Sequence, residues 1–104
     1  MKVTNLALKH VYFEEIRKGL KKVEYRDLNA YYIEKFLDLV QYAGLKMDEI
    51  KIGLMDGNLE VHRNDVTHIQ FFENGRRLLA EIKDIKIYES HPIMCISLGK
   101  IMTV

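Results

Sequence analysis

The chain has 104 residues, of which 48% are hydrophobic and 30% charged, ordinary usage for one globular domain, 1–104, with a single core. Lys and Arg number 16 against 15 Asp and Glu, a formal charge of +1, which excludes a global positive field for long nucleic acid and makes any anion binding local. One cysteine, Cys95, excludes an internal disulfide, and no apolar run approaches a signal-peptide core or a membrane span, so a cytoplasmic protein is expected.

Thr4 to Leu8 reads as a first short strand. Val11 to Lys18 has helical periodicity, with Tyr12, Ile16 and Leu20 one turn apart on the expected buried stripe. Gly19 suits the helix end because it takes positive φ without a Cβ penalty. From Lys22 to Arg26 the pattern becomes that of a half-buried strand, which puts Glu24 and Arg26 on one polar face and Tyr25 on the core side. Lys21, at the mouth of the turn, can join the two at one rim. Asp27 or Asn29 is expected to cap a helix from Ala30 to Tyr42, with Tyr32, Phe36, Leu39, Val40 and Ala43 as its apolar face and Gly44 at its end.

Ile50, Ile52 and Leu54 alternate, Asp56-Gly57-Asn58 is turn chemistry, and Leu59 and Val61 alternate again. Together they read as a hairpin, with a helix from Met47 to Met55 as the alternative. Val66 to Phe72 and Arg77 to Tyr88 read as strands joined by Glu73-Asn74-Gly75, with an irregularity near Lys83 or Asp84 where alternation slips. Ile93 to Leu98 closes the sheet, just after Pro92. Five to six strands and two helices that never alternate regularly argue for an α+β fold.

Read as G-x-K-x-x-E-x-R, the segment from Gly19 to Arg26 resembles the signature of the ASCH family. Tyr12, Phe13 and Ile16 upstream, and the hairpin from Ile69 to Ile82, extend the likeness over 1–26 and 66–99, whereas 27–65 matches poorly. The resemblance implies a PUA-like, partly open mixed β-barrel with two flanking helices and a cleft that carries the motif. It further implies RNA or a modified nucleoside as partner, with no cofactor.

In such a cleft Arg26 would offer a planar fork to a phosphate or base carbonyl, Lys21 a point charge, and Glu24 an acceptor for a base amino group. Tyr31 is the candidate stacking surface, an interaction that contributes about 1 to 3 kcal/mol per base, while Tyr25 and Tyr32 are expected in the core. The competing reading is a solvated ion-pair ladder along a strand. His10, His62, His68 and His91 lack zinc spacing and Cys95 is expected buried, so neither a metal site nor a thiol nucleophile is expected. No Gly-rich phosphate loop is present.

Some small bacterial ASCH proteins resemble this chain in length and are amidohydrolases that remove the acetyl group of N4-acetylcytidine, while others are described as metal-independent ribonucleases. The amidohydrolase pattern has a lysine at the Lys21 position, a threonine where this chain has Glu24, and a distant glutamate. The threonines here are Thr4, Thr67 and Thr103, all outside the motif. An enzyme would therefore rely on Lys21 and Glu24, with Glu73 or Glu81 as the distant carboxylate. A third possibility is an interaction protein that uses the Tyr31 to Gly44 helix as a partner surface.

Overall fold

The structure, a computed structural model, describes residues 1–103. In chain order it contains β1 (Val3–Ala7), α1 (His10–Arg17), β2 (Val23–Asp27), α2 (Ala30–Phe36), a 3-10 turn (Leu39–Tyr42), α3 (Met47–Asp56), β3 (His68–Glu73), β4 (Arg76–Ile87) and β5 (Ile93–Thr103). The strand order is β1-β3-β4-β5-β2, with β1 parallel and β4 antiparallel to β3, so the class is α+β with a mixed five-stranded sheet. Among the described residues three α-helices stand where two were expected. Among the described residues no helix is long and apolar enough to cross a membrane. By contact density the chain divides into two compact units, one made of Met1–Glu24, Val66–Asp84 and the residues from Ser97 on, the other of Tyr25–Asp65 and Ile85–Ile96.

In the first unit, α1 packs on β3 and buries Phe13 and Ile16, three residues apart. Tyr12 and Leu20, expected on that stripe, are both exposed, Leu20 at 76%. The reason is local: Gly19 turns the chain at φ +76°, so Leu20 has left the helical period, and its N–H donates to the Glu15 carbonyl at 2.9 Å. The β3–β4 hairpin closes on Asn74 and Gly75, both at positive φ (45° and 75°), the geometry of a two-residue type I′ turn. Along β4 the buried positions are Leu78, Ala80 and Ile82, then Ile85, so alternation slips across Lys83 and Asp84 as expected.

The second unit departs furthest from expectation. Asn29 does cap α2, its Oδ1 accepting from the Tyr32 N–H at 3.0 Å. The expected helix to Tyr42 nevertheless stops at Phe36, because residues 62–64 take over its end. Leu37 bridges Arg63, the Asp38 N–H donates to the His62 carbonyl at 2.8 Å, and the Asn64 N–H donates to the Phe36 carbonyl at 3.0 Å. A 3-10 turn then follows, in which Tyr42 is buried, donating its hydroxyl to the Glu60 carbonyl and accepting from the His62 N–H. Burial raises the pKa of this phenol.

The hairpin expected around Asp56-Gly57-Asn58 is instead the end of α3, in line with the helical alternative. Ile50, Gly53 and Leu54 are buried at helical spacing while Ile52 is exposed. Gly57, at φ +82°, is the left-handed C-cap, so the Asp-Gly pair ends a helix rather than joining two strands.

Candidate ligand cleft

Lys21 is placed by the way α1 ends. The N–H groups of Leu20 and Lys21 both donate to the Glu15 carbonyl, at 2.9 and 3.1 Å, which wraps the chain tightly past Gly19. The Leu98 N–H then donates to the Lys22 carbonyl at 2.9 Å and ties the entry of β2 to β5. Between these two restraints the Lys21 ammonium reaches within 3.4 Å of Glu24 Oε1. The side chains are only 15% and 6% exposed. On its other side the ammonium lies 5.4 Å from the centroid of the Tyr12 ring, within cation–π range. Exposed Tyr12 thus covers a charge instead of filling the core, a role that helical spacing did not signal.

Glu24 is the buried charged residue among those described. Its strand alternates as expected but with the opposite phase. Tyr25, assigned to the core, is 55% exposed, and Glu24, assigned to an open polar face, points inward. Alternation gives a period of two but not which face meets the core. Lys21 makes the inverted phase tolerable, since a buried carboxylate needs a cation beside it. The solvated ladder is therefore not what this segment forms at Lys21 and Glu24.

Beside the pair opens a cleft of about 270 Å³, lined by Gly19, Lys21, Lys22, Lys83, Leu98, Gly99 and Ile101. A Cβ on Gly99 would fall on the Glu81 carboxylate, so the missing side chain gives Glu81 its place against the cleft wall. Glu73, the other distant carboxylate considered, is engaged elsewhere. It faces His10 Nδ1 at 3.2 Å and Asn74 Nδ2 at 3.1 Å, with Arg76 Nη1 at 3.9 Å.

Arg26 and Tyr31 belong to the second unit. The Arg26 Nη1 donates to the Tyr32 hydroxyl at 3.1 Å, and its guanidinium carbon lies 5.6 Å from the Tyr32 ring centroid. Tyr32 is thus half-buried as an anchor for Arg26, where a plain core residue was expected. Tyr31 is 59% exposed, edge-on to Tyr32 at 4.9 Å, with the Lys35 ammonium 5.1 Å from its centroid. The structure brings Lys21 and Glu24 together, and it gives Arg26 and Tyr31 a neighbourhood built around Tyr32.

Cys95 is half-buried rather than buried, and burial pushes its thiol pKa up, the wrong direction for a nucleophile. Among the described residues no group of three or more His, Cys, Asp or Glu side chains could hold a metal ion. No protein-family model, curated protein or solved structure matches the chain.

Proposed function

We propose that this chain is an ASCH-type, PUA-like domain that binds RNA or a modified nucleoside, with Lys21 and Glu24 as the polar centre of its cleft. One observation carries the reading: an ion pair withdrawn from water stands at the edge of an open, cation-lined recess. Taking two charges out of water costs several kcal/mol, on the order of what their attraction returns, so such a pair is a poor device for stability alone. Beside a cleft it is a better device for recognition. A carboxylate accepts from an exocyclic amino group, and the adjacent ammonium donates to a ring nitrogen or carbonyl, which is the edge pattern of cytosine. The G-x-K-x-x-E-x-R motif and the mixed α+β sheet agree with this reading. The motif proposes Arg26 as a further ligand contact and the sequence proposes exposed Tyr31 as a stacking surface; both belong to the second unit.

A hydrolase reading keeps one observation of its own. Glu81 sits against Gly99, which lines the Lys21 cleft, while Glu73 faces His10. Against it stands the 3.4 Å ion pair with Glu24, which suits a binding clamp better than a reactive amine.

Two-dimensional NMR of the labelled protein separates these readings. Cytidine, N4-acetylcytidine and short single-stranded RNA are added in turn, with a final time course for deacetylated or cleaved product. Saturable shifts at Gly19, Lys21, Glu24 and Gly99 without product are expected. Product that Lys21→Ala abolishes makes the protein a hydrolase, and silence with every ligand overturns both readings.

A further inference from the structure

A second recess of about 340 Å³ lies in the first unit, between the end of α1 and the β3–β4 turn, with Phe13, Arg17, Gly75, Arg76, Arg77 and Leu78 in its lining. It is distinct from the Lys21 cleft, with which it shares no lining residue. Two of its three arginines have guanidiniums held in place. Arg17 spends Nε and Nη2 on Glu14 Oε2, at 2.8 and 2.7 Å, and Arg76 spends Nη2 on Glu14 Oε1 at 2.6 Å. Arg76 is further braced over the Phe13 ring, 4.6 Å from its centroid.

This bracing leaves donors over. Arg17 keeps Nη1, and Arg76 keeps Nε together with Nη1, which stands 3.9 Å from Glu73, beyond hydrogen-bond reach. Arg77 has no hydrogen bond or ion pair from its guanidinium among the described residues. Arg17, Arg76 and Arg77 all line the recess, and Glu14 pairs with the first two, so the cluster stays positive when Glu73 is added. His10, on the far side of Glu73, adds positive charge when protonated. The mouth is open as well, since a Cβ on Gly75 would meet nothing within 4 Å. An ion network serving the fold alone accounts for Arg17 and Arg76 but leaves Arg77 and the recess without a use.

We propose that this recess is an anion site for a phosphate monoester. A dianionic phosphate has three terminal oxygens that accept from several directions at once, which suits forks approaching from a helix end and from a strand. A flat carboxylate would satisfy one fork and leave the others. Because Glu14 fixes two guanidiniums beforehand, little side-chain freedom is lost when the anion arrives.

The test is titration of the intact protein with methyl phosphate, following the Arg Nε–Hε signals and the Gly75 amide by NMR, with sodium chloride at matched ionic strength as control. Saturable shifts in the millimolar range that chloride does not reproduce are expected. Arg77→Ala, on an exposed side chain whose loss should leave the melting temperature unchanged, should weaken binding about tenfold, and Arg17→Lys, which keeps the charge but loses the fork, several-fold. Lys21→Ala should leave it unchanged, so failure here is separable from failure at the other cleft. Tighter binding of a 5′-phosphorylated short RNA than of its unphosphorylated form assigns the site to a strand end. Equal binding of the two RNAs, with methyl phosphate still bound, assigns it to a free phosphate ester. Shifts that chloride reproduces, or an affinity indifferent to both arginine substitutions, overturn the proposal.

Discussion

The ammonium of Lys21 stands 3.4 Å from Oε1 of Glu24, and each side chain gives up most of its contact with water to be there. Removing the ammonium while keeping the carboxylate should therefore cost more than removing both charges. Lys21→Met is expected to destabilise by about 1 to 3 kcal/mol, between the values for exposed and fully buried pairs. The double variant Lys21→Met, Glu24→Gln should recover part of that loss. Urea unfolding of the wild type, Lys21→Met, Glu24→Gln and the double variant measures the coupling, and strictly additive effects would mean that the pair contributes nothing.

Glu14 lies between Arg17 and Arg76, and hydrogen bonds from both hold its carboxyl at about 2 against an ordinary 4.5. A depressed folded-state pKa stabilises above the unfolded value and loses that contribution as the pH falls through the folded one. Stability should thus decline between pH 4.5 and about 2 more steeply in the wild type than in Glu14→Gln. Thermal melts at closely spaced pH values compare the two slopes, and equal slopes would sink the assignment.

Gly53 sits inside α3 with the side chain of Leu59 in the space a Cβ would need, 2.6 Å from both Cγ and Cδ1. Alanine should gain up to about 1 kcal/mol of helix propensity at this position. Overpacking is expected to outweigh that gain by displacing Leu59, for a net loss of about 1 to 2 kcal/mol. A chemical denaturation midpoint above that of the wild type would contradict the packing described.

Gly99→Ala offers a different balance, since its Cβ would meet the end of the flexible Glu81 side chain. Glu81 can swing away, so the melting temperature should change little. The cleft wall, however, is rearranged, and affinity for cytidine should fall several-fold if the Lys21 cleft is the binding site. Isothermal titration checks this, and an unaltered affinity would move the ligand elsewhere.

Local chemistry was legible in the sequence wherever one residue settles the backbone by itself. Gly19 turning the chain after α1, Asn29 capping α2, the Asn74-Gly75 hairpin and the slip at Lys83 and Asp84 all appear where their side chains or missing Cβ atoms require them. The α+β class followed from the same signals. Lys21 and Glu24 were also legible as partners, because a turn and a short strand bring them close whatever surrounds them.

Long-range competition decided the rest. Alternation around Glu24 carries a period but no phase, and burial of the carboxylate rests on an ammonium delivered by the wrapped end of α1. The helix that should have reached Tyr42 gave way because residues 62–64, far along the chain, offered its last backbone groups other partners. Asp56-Gly57 suits a hairpin and a helix end equally well, since both need a residue at positive φ, and burial of Ile50 and Leu54 at helical spacing selected the helix. The sequence by itself thus determined the class, the turns and the charged motif. Tertiary structure alone decided which face of each element meets the core, because that choice depends on the free energy of contacts between residues distant in the chain.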